Sequence, residues 1–175
     1  IGFDHDTLTT KDGTRTKAGI TFQMVDCLNT TYSMNGSNTN SGGWNGSTMR
    51  TSTMATLLNQ LPAALKNVLK SVNKLSGTGG GSTSGTQTTH DKLFLLSEVE
   101  IFGTTTYSVP GEGTQYAYYK AGNSKVKKVN GSADSWWERS PYSGNTSNFC
   151  GVNGDGNASN YRASYSCGVS FGFCV

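Results

Sequence analysis

Two short stretches near opposite ends of the chain alternate with a period of two, and together they constrain the fold more than anything between them. In ITFQMVD, Ile20, Phe22 and Met24 alternate with Thr21, Gln23 and Val25, the pattern of a strand with one face buried. In the closing GVSFGFCV, Val169, Phe171, Phe173 and Val175 repeat it. Matching strands at the two ends of a 175-residue chain are expected to pair. That pairing closes a single domain, 1–175, and obliges everything between to leave and return.

Between them the pattern changes. Residues 1–16 are polar and Thr-rich and read as an extended lead-in. Asn29–Asn45 is rich in turn residues, with Trp44 of SGGWNGS placed in a core or on a ligand floor. Met54, Leu57, Leu58 and Leu61 then fall at i, i+3, i+4 and i+7, predicting a helix capped by Ser52 or Thr53. Pro62 ends that helix and suits the first turn of a second, striped by Leu65, Val68, Leu69 and Val72. Two amphipathic helices need a sheet to cover, which predicts a mixed α+β fold. Residues 77–89 (GTGGGSTSGTQTT) lack the Gly-Lys-Ser/Thr ending of a phosphate-binding loop and read as a flexible loop. LFLLS (Leu93–Ser97) predicts a short buried strand, and Ser97 with Glu100 forms a capping-box pattern. Thr114–Ala121 predicts a short helix. In WWERSP, Trp136 and Trp137 are adjacent and must point to opposite faces of a strand. NGDG after Val152 predicts a hairpin turn.

Composition excludes several function classes. Net charge is +3 with 14% charged residues, too weak to argue for nucleic acid, and the Lys125, Lys127, Lys128 cluster reads as a solvated face. No apolar run spans a bilayer, so no membrane insertion is expected. The chain opens on Ile1, as part of a longer polypeptide or assembly would. Cys27, Cys150, Cys167 and Cys174 have neither CxxC nor zinc-ligand spacing; no metal is expected, and free thiols are expected over disulfides. His5 and His90, the only histidines, lack the neighbours a catalytic base needs.

The last 37 residues, 139–175, are dense in Asn, Ser, Gly and Tyr and contain no Lys, Gln, Glu, Met or Trp, types that occur 25 times in the first 138. Stiff Tyr beside small adaptable polar residues is the composition of a recognition surface, although a polar surface loop shares it.

On WWERSP and GVSFGFCV, supported by ITFQMVD, WNGSTMR and DKLFLLSEVE, the chain resembles over residues 17–175 the bacterial and phage C-type-lectin-like domains that serve as variable proteins of diversity-generating retroelements. The same fold occurs in formylglycine-generating enzymes. The resemblance implies a loop-rich α+β fold with small antiparallel sheets and two helices, a rigid scaffold at Trp136–Pro141 and Gly168–Val175, and a diversified tail. Adenine-specific mutagenesis of Asn codons leaves a pyrimidine third base, which cannot encode the five missing types. The displayed ligand-binding residues would be Tyr142, Asn145, Ser147, Asn148, Asn153, Asp155, Asn157, Ser159, Asn160, Tyr161, Arg162, Tyr165 and Cys167. Tyr142, Tyr161, Arg162 and Tyr165 would be the anchors, and Cys167 an exposed free thiol. The implied role is recognition of a protein or glycan on another cell or particle, at a cell surface or on a phage tail, with no cofactor and no catalysis.

Three rivals have their own expectations. A formylglycine-type oxidase would need Cys167 and Cys174 as a pair. A calcium lectin would need ligand triplets that are missing, and Ala158 and Ser164 stand where an EF-hand loop needs Gly and Glu. A static structural or adhesin module would have no variable site.

Overall fold

The computed structural model describes all residues, 1–175. In chain order the strands are β1 (Gly2–Phe3), β2 (Thr7–Asp12), β3 (Arg15–Lys17), β4 (Ile20–Gln23), β5 (Val72–Gly77), β6 (Thr86–Asp91), β7 (Lys127–Val129), β8 (Ser132–Asp134), β9 (Trp136–Pro141), β10 (Asn148–Val152), β11 (Ala158–Arg162) and β12 (Gly172–Cys174). The helices are short: α1 (Gly43–Gly46), α2 (Ala55–Gln60), α3 (Ala63–Val68), α4 (Glu98–Phe102) and α5 (Ala117–Lys120), with a π-helical turn at Met49–Met54 running into α2. All strand pairs are antiparallel, in sheets ordered β1-β4-β12, β11-β10-β9, β3-β2-β5-β6 and β7-β8. This is an α+β architecture of small sheets. No helix is long and apolar enough to cross a membrane.

The two ends pair as expected. β12 runs antiparallel to β4 with Phe173 opposite Phe22 and Cys174 opposite Thr21. Their phase is the reverse of what apolar alternation suggests. Thr21 and Cys174 are fully buried, while Phe22 is 42% exposed and stacks on Phe173 with centroids 5.4 Å apart. The reason is beneath the sheet: the Thr21 hydroxyl donates to the Asp6 carboxylate at 2.6 Å, so the inward face meets a polar centre.

Residues 1–16 are not a lead-in. They supply β1, β2 and most of β3, and they bury Leu8 and Asp6. The loop expected at 77–89 is shorter, because Thr86–Asp91 forms β6 and pairs with β5 from Gly77↔Thr86 to Val72↔Asp91. Alternating Thr, Gln and His residues carry no apolar signal for such a strand. Leu93–Leu96 are fully or almost fully buried, as expected, but form no strand: they are tied to neighbouring strands by the Phe94↔Gly172 bridge and by the Leu96 carbonyl, which accepts from the Arg139 amide at 2.9 Å.

The first helical stripe faces inward: Met54 and Leu57 are buried, and Leu58 and Leu61 are half-buried. Its start differs from expectation. The helical run begins at Met49, where the Ser47 hydroxyl accepts from the Arg50 amide at 3.2 Å, so Ser52 and Thr53 lie inside it. α3 stops at Val68, leaving Val68 half exposed and Val72 in β5. The capping box at α4 is complete, with the Ser97 and Glu100 side chains each accepting from the other's backbone amide.

Trp44, Trp136, Trp137, Phe94 and Phe149 fill the core. α1 approaches β5 so closely that a Cβ on Gly43, at φ +54°, would lie 2.2 Å from the Gly77 carbonyl oxygen. Only glycine fits there.

Candidate functional site

β9 is the central element beneath the candidate surface. All six of its residues are buried. The tryptophans point to opposite faces as expected, and each is anchored at its indole N–H: Trp136 donates to the Lys125 carbonyl at 3.0 Å and Trp137 to the Tyr32 carbonyl at 2.7 Å. The next residue but one, Arg139, enters a fully buried ionic network. Its guanidinium donates to both Glu100 oxygens, at 2.5 and 2.9 Å, and to the Leu75, Leu95 and Glu112 carbonyls. Lys74 then bridges Glu100 and Asp6, at 2.7 Å each, and contacts the Tyr116 hydroxyl at 3.1 Å.

Burying charges costs several kcal/mol per ion unless each is paired and hydrogen-bonded, and this network meets that condition. Burial would raise the Asp6 and Glu100 carboxyls, but the Lys74 ammonium on Asp6, and Arg139 with Lys74 on Glu100, outweigh it and hold both below their ordinary values. His5, Asp6 and Glu100 lie close enough to ligate a metal ion. The Lys74 ammonium already sits between the two carboxylates, so the positive charge at this cluster is supplied by the protein itself.

A second acidic group lies alongside. Glu98 is fully buried and satisfied by the Tyr107 and Ser108 amides and the Ser108 hydroxyl. Glu112 accepts from the Gly77 amide and the Ser140 hydroxyl, yet burial pushes its carboxyl up to about 7. Glu138 is fully buried with no partner for either oxygen. Burial, with the Glu98 and Glu112 charges, raises it well above the carboxylate range.

The predicted display residues divide sharply from this scaffold. Twelve of the thirteen are half-buried or exposed. Tyr142, Asn145, Ser147, Asn148, Asn160 and Arg162 form one group. The Asn40 carboxamide ties their backbone, donating to the Asn145 and Asn148 carbonyls at 2.8 and 2.7 Å. The Asn145 carboxamide oxygen accepts from the Ser147 and Asn148 amides, and Asn148 donates to the Asn160 carboxamide at 2.7 Å. Arg162 stands opposite Asn148 across the β10–β11 pair and is exposed. Tyr165, 54% exposed, follows one turn later.

Asn153, Asp155 and Asn157 make up the hairpin tip at the far end of the strands. The Asn153 carboxamide caps the Asp155 and Asn157 amides, so this alternation builds a turn. Tyr161 and Ser159 lie on the other face of β11. Tyr161 is not a free anchor: its ring meets Trp137 edge-on at 5.9 Å, and its hydroxyl pairs with Ser135 at 2.9 Å. Gly151 makes room for it, since a Cβ there would sit 3.1 Å from the Tyr161 ring.

Cys167 is a free thiol as expected but departs from expectation in its burial. It is 5% exposed and paired through its backbone with Tyr32. Burial pushes its thiol up to about 12. All four cysteines are free and buried. Cys174 lies against Thr21 and Asp6, whereas Cys167 has Cys27 as its thiol neighbour. Lys127 also differs from its reading as a solvated residue: it is buried, donates to the Met24 and Val25 carbonyls, and is lowered by burial to about 8. Sequence reasoning missed the whole Asp6–Lys74–Glu100–Arg139 network. Its members are scattered over the chain; Arg139 sits in WWERSP and Glu100 in the capping box, but neither pattern points to the other or to Asp6 and Lys74.

Small antiparallel sheets closed by their own termini around a buried ion-pair network, with a polar hairpin beside it, define an α+β domain. The chain belongs to the family described as a domain of unknown function (DUF6273), whose family model matches residues 18–175. Searches of curated proteins and of solved structures returned no match.

Proposed function

We propose that the domain is a C-type-lectin-like display module whose C-terminal hairpin surface recognises a protein or glycan on another cell or particle, and that retroelement mutagenesis of adenines diversifies this surface. One observation carries the reading. Burial changes abruptly after Pro141, from a strand with no exposed residue to a segment in which twelve of thirteen candidate positions reach solvent. Side-chain amides hold the backbone of that segment, so its outward residues can change without disturbing the fold. Recognition would centre on Tyr142, Asn148, Asn160, Arg162 and Tyr165. Tyr161 and Cys167 support the surface from behind.

Sequencing the coding segment for residues 136–175 across a growing population of the source tests this. Substitutions should fall at adenines, concentrate on the five outward positions, and spare Trp136–Pro141. A near-copy of the segment should lie beside a reverse-transcriptase gene. An invariant segment with no such copy would leave a static adhesin module instead.

A further inference from the structure

A cavity of about 340 Å³ lies among the π-helical turn, the start of α2 and the end of β6, with no lining residue from the 139–175 tail. Its size falls at the lower end of small-molecule sites. Arg50 and Met54 project from the π-turn, a rare local geometry that recurs at functional sites. Arg50 is held by one edge: its Nε donates to Asp91 Oδ1 at 2.7 Å. Asp91 is itself buried and fixed, because Oδ2 accepts from Trp44 Nε1 at 2.9 Å and from the Thr89 hydroxyl at 2.6 Å.

The other end of the guanidinium is nearly unused. Nη1 reaches Asn45 only at 3.4 Å and Nη2 the His90 carbonyl only at 3.5 Å, the outer limit of a hydrogen bond. Its side chain retains 22% exposure. An oriented guanidinium with its Nη1/Nη2 fork open matches the two oxygens of a carboxylate. Met54, Leu58 and Leu93 give the cavity an apolar wall, and Lys92 adds a second cation at its rim.

We propose that this cavity binds a small organic carboxylate with an apolar body. The carboxylate takes the Arg50 fork, with the Lys92 ammonium beside it, and the body lies along Met54, Leu58 and Leu93. Asp91 does not compete for the fork, because both its oxygens are held, by Arg50 Nε, Trp44 and Thr89. Cationic and neutral ligands of the same shape gain nothing from the fork.

Calorimetric titration with phenylacetate and phenylpropionate, each against its primary amide, tests this on the intact chain. The acids should bind saturably and the amides at least about tenfold more weakly, the worth of one charge-assisted pair. Arg50→Lys keeps the charge and loses the fork, so it should weaken acid binding by about tenfold. Leu58→Trp should block it by filling the apolar wall. Arg162→Ala, on the hairpin, should leave it unchanged, which separates this site from the recognition surface. No saturable binding of either acid, or equal binding of acid and amide, would overturn the proposal without any variant. So would wild-type affinity in Arg50→Lys.

Discussion

At position 139 a single guanidinium supplies five hydrogen bonds inside the core, two of them to one carboxylate. Removing one partner of a buried ion pair leaves the other uncompensated, so Arg139→Met should cost about 3–5 kcal/mol in urea unfolding. Arg139→Lys restores charge but not the planar fork, and should recover only part of that loss. If Lys restored full stability, charge rather than geometry would be what matters here. Tyr161 gives a milder test of the same kind. Tyr161→Phe keeps the ring on Trp137 and loses the Ser135 bond, a cost of about 0.5–1.5 kcal/mol. Arg162→Ala and Tyr165→Ala should stay within about 0.5 kcal/mol of wild type. That contrast separates a supporting tyrosine from displayed residues, and the two classes look identical in the sequence.

The hairpin of β10 and β11 is the element whose position decides the surface. Its turn is legible in NGDG, and its register runs from Asn148↔Arg162 to Val152↔Ala158. The tyrosines and asparagines of the tail do not reveal which of them face outward, because that depends on β9 behind them. Gly151 is the contact point, with a built Cβ 2.8 Å from the Trp136 carbonyl oxygen. Gly151→Ala should therefore destabilise by about 1–3 kcal/mol through overpacking and broaden the amide signals of Tyr161 and Ser159 in an NMR spectrum. An unchanged spectrum and melting curve would mean that β9 and β10 are not packed so tightly. At α4 the capping box was readable from Ser97 and Glu100 alone, because capping is local. The same Glu100 also pairs with Lys74 and Arg139, which no local pattern contains.

For the whole molecule, the buried acids set a stability profile with two limbs. Asp6 and Glu100 are depressed in the folded state. Their contribution is present above their unfolded values, about 4, and is lost as pH falls through the folded ones. Glu112 runs the other way: its folded value is about 7 against 4.5 unfolded, so its contribution is full below 4.5 and fades as pH rises to 7, by roughly 3 kcal/mol. Glu138 is raised in the same direction and adds to this fall, so unfolding free energy should peak at about pH 4.5. Glu112→Gln, which mimics the protonated form, should flatten the upper limb in denaturant titrations at several pH values. An unaltered slope would show that Glu112 titrates normally. By itself the sequence determined the pairing of the two ends, the first helical stripe, the capped turn at Ser97, the hairpin and the opposed tryptophans, because each follows from a period or a local hydrogen bond. Only the tertiary structure decided that the lead-in is structural, that Thr21 rather than Phe22 faces inward, that Tyr161 and Cys167 are withdrawn from the surface, and that four charges from distant segments meet at the centre. Burial of a polar residue depends on partners brought from elsewhere in the chain, and spacing carries no record of them.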